Sequence, residues 1–364
     1  MRSRWFAQRK PEMNLFNPEM LGLARESREL TQKALADLSG VDQGNISKYE
    51  RGILDISDPA GEKLARALHY PVHFFHQVDE VRGIGSGCFY HRKRQTMPVT
   101  ELRVIQAKAN ILRMQAAKLL QRVEIEHDNR IARLDINDGE TAEGIARLVR
   151  ATWELPLGPI KNLVGAFERA GGIVYRCSFG TKKLDAISQW CRNMPPLIFV
   201  NSEVPGDRLR WSMAHELGHV IMHRIPSENS EREADQFASE FLLPAREIIA
   251  DLNYFNLQRA ATLKVYWRVS MAALIMRAHS LEKITDSQKT SLFKQLSAAN
   301  YRTKEPDTVP IEKPTLLTDI IDTYINKMDY SVGDLAHLLA LEEDEFRYIY
   351  MGENSDRNGL RVVG

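Results

Sequence analysis

The chain has 364 residues, with 49 Lys and Arg against 48 Asp and Glu, a formal net charge of +1, 43% hydrophobic and 27% charged residues. That length calls for two or three domains, and the near-zero charge excludes a global field drawing the protein to nucleic acid or membrane, so any such binding must come from a local patch. The 3 cysteines, Cys88, Cys177 and Cys191, lack CxxC spacing, which argues against a disulfide frame or cysteine metal site and for a reducing compartment.

The opening MRSRWFAQRKPEMNLF has no apolar core of signal-peptide length, and no later run approaches ~18 apolar residues, so a cytoplasmic protein without membrane spans is expected. Residues 18 to 68 read as a run of short helices. Pro18 opens the first, which turns Leu21, Leu23 and Ala24 inward and ends near Glu29. LTQKALADLSGVDQGNISKYERG then runs from Leu30 to Gly52. Thr31 is a good N-cap, and Leu35, Ala36 and Leu38 form an apolar face. Gly40 breaks that helix with a tight turn, Val41 plugs the core, and Asp42 caps a second helix whose Ile46 and Tyr49 point inward. Two short helices joined by a glycine-containing turn are the helix-turn-helix pattern. The second helix then presents Gln43, Gly44, Asn45, Ser47 and Lys48 outward, toward a major groove. Gln43 and Asn45 are amides of the kind that read adenine, while Gln32, Lys48 and Arg51 are better placed for phosphates. Acids slightly outnumber bases between residues 13 and 77, so a helical adaptor that never touches DNA is the competing reading. TQKALA, the GV turn, IS and ERG closely resemble the XRE-type helix-turn-helix family across residues 20 to 68. The resemblance implies a DNA-binding domain, placed at 13–77, acting on a double-stranded operator.

Residues 78–98 form a linker with three glycines in five residues and a basic cluster, His91, Arg92, Lys93 and Arg94, read as a solvated face. A long connecting helix is expected over 99–127, with Leu102, Ile105, Ala109, Leu112, Ala116 and Leu119 at spacings of three and four. Such a stripe packs in cis or forms the seam of a homodimer. From Glu140 a compact region follows. TAEGIARLVRATWELP and IKNLVGAFERAGG are helices, and IVYRC, DAISQW and PLIFVN are strands, which gives an α+β domain with a small sheet. The strand edge near Ile198 to Asn201 is expected to hold a peptide by backbone pairing.

HELGHVIMH, from His215 to His223, carries the chemistry. At 3.6 residues per turn, His215 and His219 face one point, with Glu216 about 100° from His215. This is HExxH: two imidazoles for Zn²⁺ and a glutamate as general base. A helix with chance histidines is the alternative until a third ligand is found. The next helix, EREADQFASEFLLP, has the apolar stripe Ala234, Phe237, Ala238, Phe241 and Leu242. Glu233 lies on that stripe, where a buried carboxylate needs a cation; Glu231 and Asp235 fall off it and are weaker candidates. His223 is two turns past His215, too far to join the same ion, and is read as supporting the site or contacting substrate.

HELGHVIMH, EREADQFASEFLLP and the later YWRVSMAALIMRAHSLEKI, with the WELPLGPIKNLVGAFERAGGIVY approach, resemble the ImmA/IrrE family of metallopeptidases over roughly Thr141 to Ile284. The resemblance implies zinc on His215, His219 and Glu233, Glu216 as base, and a helix-turn-helix repressor cleaved under stress or DNA damage as substrate. Asp235 departs from that family's usual asparagine.

Beyond Pro306 a proline-spaced stretch, VPIEKP, precedes helical sequence. Ser331 to Gly352 aligns without gaps to Thr31 to Gly52: inward positions are kept, but Glu342, Glu343, Asp344 and Glu345 sit where a reading helix would begin and would repel phosphates. Two readings stand there, within a C-terminal helical domain at 285–364: a degenerate helix-turn-helix used for protein contact or dimerisation, and a generic helical tail that matches by chance.

The expected fold is multidomain and mainly α: an N-terminal helix-turn-helix bundle, a central zincin-like α+β metallopeptidase at 140–284, and that helical C-terminus. The expected function is a transcription regulator with a zinc endopeptidase domain. The alternative is a regulator whose metal domain is a non-proteolytic sensor or antitoxin-like module.

Overall fold

The computed structural model describes residues 16–79, 81, 97–125, 130–134, 136, 140–225, 227–302 and 304–352. Helices dominate, with one three-stranded sheet among the described residues, as the multidomain, mainly helical reading expects. The described residues group into two compact units. One comprises those of Met1–Arg82, Leu102–Lys118 and Asp329–Ser355; the other comprises those of Gly83–Glu101 and Leu119–Met328.

The first unit opens with α1 (Pro18–Ser27), α2 (Gln32–Ser39), α3 (Gln43–Glu50) and α4 (Asp58–Leu68), followed by a 3-10 turn, Val72–His76. The local grammar is that of the sequence. Asn17, Thr31 and Asp42 cap α1, α2 and α3 through their side chains, and Gly40 takes the left-handed conformation, φ 69°, between α2 and α3. Leu35, Val41, Ile46 and Tyr49 are buried, but Leu38 is 63% exposed. Leu38 therefore departs from the expected apolar face, because this short helix turns only Leu35 fully into the core.

Helix α5 (Val99–Leu119) stops before the expected end at 127. Ile105, Ala109, Leu112, Ala116 and Leu119 are buried within a single chain and Leu102 is half-buried, so the stripe packs in cis. The linker's glycine run and basic cluster, at 83–94, lie outside the described residues.

In the second unit, α6 (Ala142–Thr152) and α7 (Leu163–Arg169) precede β1 (Ile173–Cys177), β2 (Ala186–Gln189) and β3 (Leu197–Asn201). The strand order is β1-β3-β2, with β1 parallel and β2 antiparallel to β3. Residues 198–201 thus sit on the central strand, paired on both sides, and cannot accept a peptide strand. The edge beside the histidine helix is β2, and strand order of this kind depends on pairings remote in sequence. Then come α8 (Gly206–Met222), α9 (Ser230–Leu242), α10 (Ala245–Ile248), α11 (Leu257–Trp267), α12 (Met271–Ser280), α13 (Asp286–Ala298) and α14 (Leu316–Met328).

The proline-spaced stretch before α14 is strapped down. Glu312 accepts from the backbone N–H groups of Leu163 and Val164 at 2.7 and 2.9 Å and pairs with buried Arg210. Glu305 pairs with Lys264 at 2.8 Å and accepts from Met271 N, and Glu168 accepts from Thr315 N and Leu316 N. Each carboxylate serves a helix N-terminus, where its charge is favoured.

The first unit closes with α15 (Val332–Leu339) and α16 (Glu343–Phe346), which widens into a π turn at Arg347–Met351. Leu335, Leu341 and Phe346 are buried. Glu345 takes the Arg28 guanidinium in a two-pronged pair, both contacts 2.6 Å, while the His73 and His337 rings stack at 4.2 Å.

Candidate metal centre

Helix α8 buries His215, Glu216 and His219 to 3–4% exposure. It can do so because α9 crosses it closely at Gly218, where an added Cβ would lie 3.2 Å from the Ala234 Cα and from the Phe237 ring. That crossing decides which acids reach the histidines. Glu231 and Asp235 are three residues before and one after Ala234, so they share the face that α9 turns to α8.

Glu231 lies 3.5 Å from His215 Nε2 and 3.4 Å from His219 Nε2. His215 Nδ1 meets Asp235 Oδ1 at 2.9 Å. His219 Nδ1 meets His223 Nδ1 at 2.8 Å, and His223 Nε2 meets Glu233 Oε2 at 3.1 Å. On the other side, Ser188 Oγ on β2 donates to Glu216 Oε2 at 2.7 Å, both residues buried.

The partners suggest roles for the ring nitrogens. With Asp235 accepting, His215 donates from Nδ1; with Glu233 accepting, His223 donates from Nε2 and accepts at Nδ1 from His219 Nδ1. The Nε2 atoms of His215 and His219 face each other at 3.0 Å. With a Glu231 oxygen they form a donor set mutually within 4.8 Å, and two imidazoles with one carboxylate suit Zn²⁺.

Burial lowers the basicity of His215, but hydrogen bonds to Asp235 and Glu231 and the charges of Glu216 and Asp235 outweigh it, lifting its pKa to about 10: the pocket draws positive charge onto this imidazole, and a metal cation held there would take the place of that proton. Burial, then the charges of His219 and His215, pushes His223 down to about 3, so it is neutral, as its two hydrogen bonds require.

The structure brings His215, Glu216 and His219 together, and the carboxylate it sets near both Nε2 atoms is Glu231; Glu233, expected there from the sequence, is paired with His223. The two are about 200° apart around the helix, and the apolar stripe of α9 is wider than the part that meets α8. Asp235, a weaker ligand candidate in the sequence, sits on His215 Nδ1, and Ser188 was given no role from sequence. Asp235 is legible as the i+4 partner of Glu231, whereas only the fold reveals Ser188.

In the first unit, Gln43, Gly44, Lys48 and Arg51 are exposed, and Asn45 and Ser47 are half-buried. The Gln32 amide donates to Glu50 at 2.8 Å, and Arg25 pairs with the same carboxylate at 2.5 Å. Arg51 Nε reaches back to Ser47 O at 2.9 Å.

Residues 21–75 match the family model described as helix-turn-helix, and residues 167–279 match that of the IrrE N-terminal-like domain of metallopeptidases. No curated protein and no solved structure gives a significant match. Both resemblances read from the sequence are thereby borne out: a DNA-binding type of domain precedes a metallopeptidase-family domain in one chain. No described helix is long and apolar enough to cross a membrane.

Proposed function

We propose that this chain is a DNA-binding transcription regulator whose second domain is a zinc endopeptidase, with His215, His219 and Glu231 as ligands and Glu216 as general base. The observation that carries the reading is the convergence of the His215 and His219 Nε2 atoms with one Glu231 carboxylate oxygen beside the buried Glu216. A divalent cation held there supplies Lewis acidity toward water and toward a peptide carbonyl. Glu216 takes the proton from the attacking water and delivers it to the leaving amine. Ser188 Oγ holds Oε2 and fixes the plane of the carboxylate, and we assign proton carriage to Oε1. The edge of β2, which carries Ser188, is the place for a substrate strand, since backbone pairing grips a peptide whatever its side chains.

The resemblance to the ImmA/IrrE family supports a helix-turn-helix repressor as substrate, released in a stress, DNA-damage or mobile-element response. The exposed start of α3 supports operator binding through Gln43, Gly44 and Lys48, with Asn45 and Ser47 beside them and Arg51 at the phosphates. Gln32 reaches a phosphate only by leaving Glu50. A two-fold operator would call for a homodimer, through a surface other than the α5 stripe.

The test compares cells expressing wild type or Glu216→Gln by whole-proteome quantification. A repressor that falls in wild type and persists in the variant, with zinc content equal in both, is the expected result. Identical proteomes and identical transcriptional output would replace the enzyme with a non-proteolytic sensor.

A further inference from the structure

The run EREAD places three carboxylates at Glu231, Glu233 and Asp235 on one helix, and the structure gives each a different atom to serve. Glu231 joins the two Nε2 atoms, and Asp235 accepts directly from His215 Nδ1. Glu233 reaches no Nε2 of that pair. It ends a chain of two hydrogen bonds, His219 Nδ1 to His223 Nδ1 at 2.8 Å and His223 Nε2 to Glu233 Oε2 at 3.1 Å.

A metal-binding imidazole ordinarily donates its other N–H straight to a carboxylate or carbonyl, which fixes ring orientation and tautomer. His215 follows that rule. For His219 a second imidazole is interposed, one turn further along α8, and only the carboxylate at its far end settles which way both protons point. Imidazole alone is ambiguous, because either nitrogen can donate. From this geometry we infer that His223 and Glu233 are positioning residues for the metal site: Glu233 sets the tautomer of His223, which sets that of His219 and aims its Nε2 lone pair at the cation. The inference rests on His219 being a ligand, and it assigns Glu233 an indirect role in place of a direct one.

Glutamine at 233 keeps an oxygen that can accept from His223, whereas alanine does not, and this difference separates orientation from ligation. Zn²⁺ alone is the probe, added to the purified, metal-stripped full chain in competition with a chromophoric chelator. Wild type, Glu233→Gln, Glu233→Ala, His223→Phe and Glu231→Gln are compared, with circular dichroism melting of the metal-free proteins as the check on folding. Glu233→Ala and His223→Phe are expected to weaken Zn²⁺ binding about 10- to 100-fold. Glu233→Gln should stay within about threefold of wild type, because the acceptor is retained, and Glu231→Gln should lose the most.

If Glu233→Gln falls as far as Glu231→Gln, Glu233 is itself a ligand and the relay is overturned. Unchanged affinity in Glu233→Ala and His223→Phe would equally overturn it, leaving those residues as packing. Should His223→Phe fail to fold, the contrast between Gln and Ala at 233 decides alone. A chain that binds Zn²⁺ with this pattern yet cleaves nothing would refute the endopeptidase reading while the relay stands.

Discussion

Residues 31–52 and 331–352 are two versions of one helix-turn-helix frame. In both, a hydroxyl caps the first helix, through Thr31 or Ser331, and a left-handed residue turns the chain, through Gly40 at φ 69° or Ala340 at φ 54°. Leu35 and Leu335, and Ile46 and Phe346, are 0% exposed, and Gly52 and Gly352 close the two frames at φ 64° and 70°. The outward residues differ completely. Gln43, Gly44 and Lys48 lie open on α3, while in the second frame Glu345 grips Arg28, Asp344 lies 3.3 Å from His69, and Glu343 holds Arg347 at 2.8 Å. Caps, turn and core residues thus specify the frame, and the surface charges specify what it meets: the first frame leaves the start of α3 exposed, and the second uses Asp344 and Glu345 on His69 and Arg28, which flank the first frame in sequence.

The sharpest break is Glu345→Ala. Arg28 and Glu345 retain only 10% and 15% side-chain exposure, so removing the carboxylate, which leaves the guanidinium with the Leu68 and His69 carbonyls and the Tyr70 ring, should cost the first unit up to about 3–5 kcal/mol, read by urea unfolding against a Glu343→Ala control. An unchanged midpoint would show that the second frame does not brace α1. Next, Gln43→Ala should weaken binding to the preferred operator by about 1–3 kcal/mol and relax its base preference, whereas Glu343→Ala in the second frame should leave DNA affinity alone; titrations over a salt series measure both. Equal affinity of Gln43→Ala and wild type would argue against direct readout there. The smallest effect is expected at Gly352, whose missing Cβ would meet nothing within 4 Å. Gly352→Ala should cost only the backbone strain of a positive φ, ~1 kcal/mol, and a much larger loss of thermal stability would mean that the closing turn packs against something else.

How much the sequence reveals follows the range of the interactions concerned. The first frame is readable because its caps, glycine turn and buried positions act within a few residues. His215, Glu216 and His219 are readable because helical periodicity alone brings them together. The carboxylate near both Nε2 atoms is not, since whether Glu231 or Glu233 approaches the imidazoles depends on the rotation of α9 against α8, which the close approach at Gly218 sets. The strand edge fails for a related reason: β3 comes last in sequence but pairs in the middle. Ser188 meets Glu216 across 28 residues of chain, a contact that no local pattern encodes. The VPIEKP stretch reads as a linker because its prolines are conspicuous, whereas the carboxylate within it, Glu312, anchors it to partners 102 and 148–149 residues away.

The first unit is assembled from the described residues of three separated pieces of chain, Met1–Arg82, Leu102–Lys118 and Asp329–Ser355, with the stretch matched by the metallopeptidase-family model lying in sequence between the last two. A discontinuous domain of this kind is not freed by one scission. Were the chain cut between the first two pieces, the helix-turn-helix fragment would stay docked on Asp329–Ser355 through Arg28 and Glu345 and on the second piece through Glu29 and Lys108. Release of that fragment therefore requires those ionic clasps to let go as well.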